Sequence, residues 1–273
     1  MVQVIAEIGI NHNGSIELCK RLMLVAKAAG CDYAKIQKRN PDVCVPDAQK
    51  TKRRKTPWGE MSYLEYKHRM EFSEEQIEEL CEYGRTIEIE FFASVWDLDS
   101  ARLMARHTRI AKLGSASITN LELCRLTREL FDEVIISTGM STESEVIEAV
   151  AAAQPDVVMH TNSTYPTPVE DLNLRYIEHL QEKFGGDREI GYSGHEYGLV
   201  TTFAAVAIGA QWVERHITLD RSMWGSDQSS SIEPSGLMKL VKGIRDIEKA
   251  TQYPPGPRRQ FAGEAAKRES LRK

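Results

Sequence analysis

The chain has 273 residues, 41% hydrophobic and 27% charged, with a formal net charge of −5. This is an ordinary composition for a chain able to bury its own core, and it gives no sign of nucleic-acid binding. The longest nearly apolar stretch, Phe203–Ala210, is far too short to cross a bilayer, so no membrane association is expected. The first residues lack a basic segment followed by a long apolar run and do not read as a signal peptide. Five cysteines, Cys19, Cys31, Cys44, Cys81 and Cys124, include no Cys-x-x-Cys pair. Reduced thiols in a cytoplasmic protein are therefore expected, rather than a disulfide framework or a zinc–thiolate site.

Taken in chain order, short β-rich runs alternate with helical patterns. Strands are expected at Val2–Ile8, Tyr33–Gln37, Glu88–Ser94, Arg109–Leu113, Glu133–Ser137, Val157–Thr161, Glu189–Ser193 and Trp212–Ile217. Most are apolar throughout, as strands covered on both faces should be. Between the first two, Ser15–Ala29 sets Ile16, Cys19, Leu22, Met23 and Ala26 on one helical face, with Ser15 as N-cap and Gly30 as stop. Lys38–Glu71 follows the second strand as a long polar, basic and aromatic loop, expected on the face where strand-to-helix loops gather. Its basic run Lys50–Lys55 reads most simply as solvated. Ser73–Tyr83 opens with a capping-box pattern, Ser141–Ala153 begins Ser-Thr-Glu-Ser, and Pro234–Thr251 supplies a last helix. Eight strand–helix units in about 250 residues indicate a single (β/α)8 barrel over 1–253, with 254–273 as a tail rather than a second domain. The Gly-x-Gly-x-x-Gly pattern of a dinucleotide-binding sheet is missing after the first strand.

In such a barrel the chemistry sits at the C-terminal strand ends. Here every strand leaves the core through hydrogen-bonding or ionisable side chains. Lys35 and Lys112, with Ser94, Ser115, Ser137 and Ser193, form a set suited to a phosphate or carboxylate anion. His195 and His216 fall on consecutive strands, either as ligands for Mn²⁺, Fe²⁺, Zn²⁺ or Co²⁺ or as hydrogen-bonded rim histidines. Glu7, just inside the first strand, is either an acid/base or a structural partner of Lys35. Glu214 shares its strand with His216. His12, His68, His107 and His179 have weaker claims, the last two as surface residues.

At these positions the sequence resembles the sialic acid synthase family. The matching segments are Ala6–Gly14, Lys35-Ile36-Gln37, Ser137–Met140, Tyr165–Pro168, Gly191–His195 and Glu214–Thr218, in order. The resemblance implies a barrel that condenses phosphoenolpyruvate with an N-acyl-amino-sugar aldehyde, using a divalent metal, usually manganese, with magnesium or cobalt as alternatives. It implies His195 and His216 as metal ligands, and Lys35, Ser94, Lys112, Ser115, Ser137 and Ser193 as the phosphoenolpyruvate site. Glu7 aligns with the catalytic carboxylate. Ser163 and Tyr165 align near the phosphoenolpyruvate carboxylate and the incoming sugar, and Gln37 and Asp227 near the metal-activated sugar. A homodimer is implied as well.

Three departures from the family pattern are present, and the first two bear on the acceptor. Gly114-Ser115-Ala116-Ser117 stands where the family has Gly-Ser-Gly-Glu, so a sugar-site carboxylate is lost. No counterpart of the family's C-terminal antifreeze-like domain, with its arginine, is expected, and Ser163 replaces an asparagine of some members. A different or differently held acceptor is expected, with the Lys50–Lys55 loop or Arg258 and Arg259 as possible stand-ins for the arginine, and a phosphorylated sugar as one version. Rival readings are a condensation giving another 3-deoxy-ulosonic acid, a barrel that only binds a sugar acid, and a metal-dependent hydrolase or isomerase.

Overall fold

The computed structural model describes residues 1–272. Eight parallel strands close into a barrel: β1 (Gln3–Gly9), β2 (Tyr33–Lys38), β3 (Glu90–Val95), β4 (Ile110–Leu113), β5 (Glu133–Ser137), β6 (Val157–Thr161), β7 (Glu189–Gly194) and β8 (Trp212–His216). Each pairs with its neighbours in sequence, and β8 pairs with β1 to complete the ring. The expected strands are all present, with small shifts at their ends. The largest is at β3, which starts at Glu90 rather than Glu88. Glu88 sits at φ 58°, and Ile89 donates to the Gly84 carbonyl, so these residues finish the preceding helix instead of entering the sheet.

Side chains two apart on a strand share a face. The outward set, including Val4, Ala6, Ile8, Ala34, Ile36, Phe91, Ala93, Val134, Ile136 and Val158, packs against the helices in the main core. The inward set splits by height. Low in the barrel, Ile5, Phe92, Ile110, Ile135, Val157, Met159 and Trp212 form a separate apolar plug, with Tyr33 stacked on Trp212 at 5.2 Å. One step towards the C-terminal mouth, the same face carries Glu7, Lys35, Ser94, Lys112, Ser137, Ser193 and Glu214, all buried. The plug floors this polar layer and closes it to water from below.

The helices form where local signals place them. Ile16–Ala29 begins at Ser15, whose side chain accepts from Leu18 N, and ends at Gly30 with φ 84°. Its buried stripe is Cys19, Leu22, Met23 and Ala26. Glu74–Thr86 carries the Ser73/Gln76 capping box. Glu143–Ala153 is capped by Thr142, paired with Glu145, one residue later than the pattern suggested. Pro234–Ala250 closes the ring of helices.

The Lys38–Glu71 insertion is not one loop. It holds two single-turn helices, Pro41–Cys44 and Asp47–Lys50, an antiparallel hairpin of Arg53–Thr56 with Gly59–Ser62, and a helix, Tyr63–Met70, opened by a Ser62/Glu65 capping box. The expected location holds, because Trp58 and Tyr66 pack on Trp224 in the loop after β8 at 5.4 and 5.3 Å. All five cysteines are unpaired. No helix among the described residues is long and apolar enough to cross a membrane.

Candidate active site

The barrel mouth encloses a cavity of about 190 Å³. It brings together Glu7, Lys35, Gln37, Ser94, Lys112, Ser115, Ser137, Ser163, Tyr165, Ser193, His195 and His216, which are drawn from all eight strand ends. Strand register builds the layer: Glu7 lies level with both Lys35 and His216, Ser94 with Lys112, and Ser193 with Glu214. Asp227 is outside the cavity wall, with Oδ2 3.9 Å from His216 Nδ1.

The two lysines are not free cations. Lys35 Nζ lies 2.6 Å from Glu7 Oε2 and 3.6 Å from Glu214 Oε2, and it donates to Ser94 Oγ at 2.8 Å. Lys112 Nζ donates to Glu214 Oε1 at 2.7 Å, which also accepts from Ser193 Oγ at 3.1 Å. The result is a buried group of two ammoniums and two carboxylates with Glu214 at its hub. Of the two readings open for Glu7, the ion pair with Lys35 is present, and its Oε1 also accepts from Gln37 Nε2 at 3.4 Å. Glu214 belongs with this buried layer and lines the cavity, although its pattern alone did not single it out. The available signal was its inward register two residues before His216.

Electrostatics sharpen this picture. Burial drives the Glu214 pKa up, but Lys112 and Lys35 outweigh it and hold the carboxyl down at about 2. For Lys35, burial is opposed by Glu214 and Glu7 together, with a net rise. For Lys112, burial wins over the pull of Glu214, and repulsion from Lys35 adds to it, so its pKa is lowered. The Tyr165 phenol is pushed up by burial and by the Asp227 and Glu7 carboxylates and stays in its neutral form.

His195 is held down at about 3 by burial and by the neighbouring His216. Its Nδ1 lies 2.7 Å from the Asn162 carbonyl, which fixes the proton on Nδ1 and leaves the Nε2 lone pair free. The His195 and His216 ring centroids are 5.3 Å apart, and His216 Nδ1 is buried with no hydrogen-bond partner. Two adjacent imidazoles with open lone pairs fit a divalent cation. Among the described residues no group of three or more His, Cys, Asp or Glu is placed to hold one, so water or substrate oxygens would complete the shell. Ser137 Oγ and Thr161 Oγ1 are likewise buried without partners, and both line the cavity. Unpaired donors at the bottom of a polar cup are what an oxygen-rich ligand would satisfy.

A second buried network supports the imidazoles. Arg215, between Glu214 and His216, donates from Nη1 to Glu196 Oε1 at 2.9 Å and to Thr202 Oγ1 at 2.6 Å. Glu196, which follows His195, also accepts from the Tyr192 hydroxyl at 2.8 Å. The strand end carrying one imidazole is thereby clamped to the turn carrying the other.

The remaining histidines lie elsewhere. His12 stacks on Phe72 at 4.3 Å, accepts from Gly14 N and is kept neutral by burial, at about 3. His68 and His179 are half-exposed beside Asp42 and Glu143. His107 differs from the surface position expected: its ring is largely buried, 3.2 Å from Glu74 Oε1.

A closed parallel barrel whose C-terminal mouth gathers lysines, carboxylates, hydroxyls and two imidazoles defines a (β/α)8-barrel enzyme. It belongs to the NeuB family, which matches residues 22–254. The chain is 38% identical over 258 residues to the N-acetylneuraminate-9-phosphate synthase of Mus musculus, covering 92% of this chain and 71% of the mouse protein. It is 34% identical over 261 residues to the N,N'-diacetyllegionaminic acid synthase of Campylobacter jejuni, covering 90% and 76%. The crystal structure of N-acetylneuraminic acid synthetase from Leptospira borgpetersenii, in complex with citrate, superposes with a TM-score of 0.86 at 30% identity, covering 100% of this chain and 93% of that one. By this membership the chain is an enzyme of the synthase class.

Proposed function

We propose that the enzyme condenses phosphoenolpyruvate with an N-acyl-amino-sugar aldehyde to give a nonulosonic acid and inorganic phosphate. The observation that carries this reading is the buried layer of Lys35, Lys112, Glu7 and Glu214, ringed by serines and facing His195 and His216. A hydrolase or isomerase has no evident use for two lysines converging below a pair of imidazoles.

In this reading Lys35, Lys112, Ser94, Ser115, Ser137 and Ser193 bind the phosphate and carboxylate of phosphoenolpyruvate, exchanging internal partners for ligand oxygens. Gln37, Ser163, Tyr165 and Asp227 surround the acceptor. A divalent metal, manganese in this proposal, would be held by His195 and His216, and when bound supplies Lewis acidity towards the acceptor's carbonyl oxygen. C3 of phosphoenolpyruvate attacks the aldehyde carbon, whose oxygen takes up a proton from solvent. Water adds to the cation at C2, and Glu7 receives the proton that this water loses. Cleavage of the C2–O bond then releases phosphate, which carries off the C2 hydroxyl proton, and leaves a ketone at C2. The lysines and serines fix both anionic groups of one substrate against the other's carbonyl, so most of the orientational cost is met on binding.

The test is phosphate release from phosphoenolpyruvate with Mn²⁺ and a panel of amino sugars, with product masses and a His195→Ala control. The expected product mass is the sum of sugar, phosphoenolpyruvate and water less phosphoric acid. His195→Ala should lose at least about a hundredfold in rate, in line with the loss of several kcal/mol of charge stabilisation. Undiminished turnover in His195→Ala, or phosphate release without an acceptor, would overturn the reading.

A further inference from the structure

Asn11-His12-Asn13-Gly14, at the mouth end of β1, takes no part in the chemistry above, yet Asn11 and His12 are buried. Its residues address opposite flanks in alternation. His12 stacks on Phe72, and a Cβ at Gly14 would lie 2.2 Å from the Arg69 carbonyl oxygen, so both meet the end of the insertion after β2. Asn11 and Asn13 reach the other way, to the loop after β8.

That loop carries Asp227. It is pinned at its base, where Ile232 N donates to the His216 carbonyl at 2.7 Å and Thr218 N to the Ile232 carbonyl at 3.0 Å. Between these pins it runs as turns with one short 3-10 segment, Gln228–Ser230. Such a stretch is easily displaced unless something outside it holds it. Asn11 is that hold. Its Nδ2 donates to the Ile217 carbonyl at 2.8 Å and to Ser231 Oγ at 2.8 Å, and its own carbonyl accepts from Gln228 Nε2 at 3.2 Å. Ser231 Oγ passes the bond on to the Asp227 carbonyl at 2.6 Å. A serine hydroxyl has one proton, so giving it to Asp227 obliges Ser231 to accept from Asn11. Both amide protons of Asn11 are then used, and an aspartate there could supply neither. On the other side of Asp227, Asn13 Nδ2 donates to the Trp224 carbonyl at 2.9 Å. The loop is thus held from β1 both before and after Asp227.

The position being held matters for the reaction site. Asp227 Oδ2 is 3.9 Å from His216 Nδ1, too far for a direct hydrogen bond and near enough for one oxygen to touch both. The other carboxylate oxygen, Oδ1, accepts from Ser226 Oγ at 2.6 Å, which leaves Oδ2 to face the imidazole. A displacement of about 1 Å would remove that shared point, and a misplacement of this size costs up to about a hundredfold in rate.

We propose that Asn11 is a positioning residue for the reaction: through Ser231 it sets where Asp227 stands beside the imidazole pair, with Asn13 steadying the loop at Trp224. This rests on the proposed condensation, in which Asp227 faces the acceptor. Placing the task on β1 ties a mobile class of element to a rigid one. The same four residues also register the insertion through His12 and Gly14, so both flanks of the barrel mouth take their positions from a single strand end.

The experiment uses three substitutions. Ser231→Ala breaks the relay with the loss of one oxygen. Asn11→Ala removes its source. Asn13→Gly keeps the backbone free to hold φ 50° and deletes only the bond to Trp224. Ser231→Ala and Asn11→Ala should each lower kcat by about tenfold to a hundredfold with the KM for phosphoenolpyruvate unchanged, and Asn13→Gly by less. The deciding readout is masking: in an Asp227→Asn background, Ser231→Ala should cause no further fall in kcat, because its effect runs through Asp227. A general loss of folded protein would not be masked in this way. Full kcat in both Ser231→Ala and Asn11→Ala, or losses that multiply in the double variant, would overturn the proposal. Amide hydrogen exchange reads the hold on the loop without turnover. Asn11→Ala should speed exchange across 224–231 and leave the barrel strands protected. If no acceptor is turned over by the wild type, the condensation fails, and exchange alone then decides the hold: loss of protection confined to the loop upholds it, and unchanged protection sinks it.

Discussion

Replacing Glu214 by glutamine keeps the side chain's size and removes the hub charge of the catalytic layer. Its carboxylate contacts Lys112 at 2.7 Å and Lys35 at 3.6 Å, and its side chain is 5% exposed. The folded-state pKa falls from 4.5 to about 2, which at about 1.4 kcal/mol per unit is about 3–4 kcal/mol. Stripping one member from a buried ion pair typically costs about 3–5 kcal/mol, so the two routes agree. Glu214→Gln should therefore be about 3–4 kcal/mol less stable at pH 7, or about 6–16 °C lower in Tm. Because the folded pKa is depressed, this stability is fully present above pH 4.5 and drains away as pH falls towards 2. The gap between the two proteins should close over that window in urea titrations. The layer's net charge also rises from zero to plus one, so inorganic phosphate should raise the Tm of the variant more than that of the wild type. A difference below about 0.5 kcal/mol at pH 7, the range of an ordinary surface change, would refute the reasoning and mean that Glu214 does not balance the lysines.

The clamp behind the imidazoles makes a second prediction. Glu196→Gln strands the buried Arg215 charge and should cost about 3 kcal/mol or more, whereas adding Arg215→Met should recover part of the loss. A double-mutant cycle of urea midpoints checks this, and simple additivity would show that the pair does not act as a unit. Gly139 supplies a third. A Cβ there would lie 2.3 Å from Ser163 Oγ and 2.8 Å from Ser115 Oγ, so Gly139→Ala must displace both serines. The KM for phosphoenolpyruvate should rise about tenfold, the worth of one good hydrogen bond to a charged group, with circular dichroism unchanged.

Much of the fold was legible because it depends on local, periodic signals. Eight apolar runs separated by capped amphipathic segments leave few arrangements other than a barrel, and the Ser15, Gly30 and Ser73 signals fall where the helices begin and end. Alternation within strands also places Lys35, Ser94, Lys112 and Ser193 on one inner surface. What was not legible depends on closure. Glu214 meets Lys112 from the opposite side of the barrel, across 102 residues, and Lys35 from two strands away, a pairing that exists only once β8 is hydrogen-bonded to β1. The hairpin in the insertion was hidden for a related reason. Arg53-Arg54-Lys55-Thr56 has no apolar alternation, and the packing of Trp58 on Trp224 from the far end of the chain anchors its turn. The Pro57-Trp58-Gly59 turn chemistry was the one local clue.

The two groups of cations explain each other when taken together. A buried lysine must be paired, deprotonated or supplied with charge by a ligand. Lys35 and Lys112 are paired internally, so the catalytic layer is electrically balanced when empty, and its affinity for an anion is set by how readily Glu7 and Glu214 release their partners. Lys67 and Arg54 have no carboxylate within 4.0 Å among the described residues, so their surroundings carry unbalanced positive charge, although the chain as a whole carries −5. In the proposed condensation, balance suits the layer where charge is moved and bonds change, because Glu7 takes up the water's proton there while Glu214 keeps both lysines neutralised.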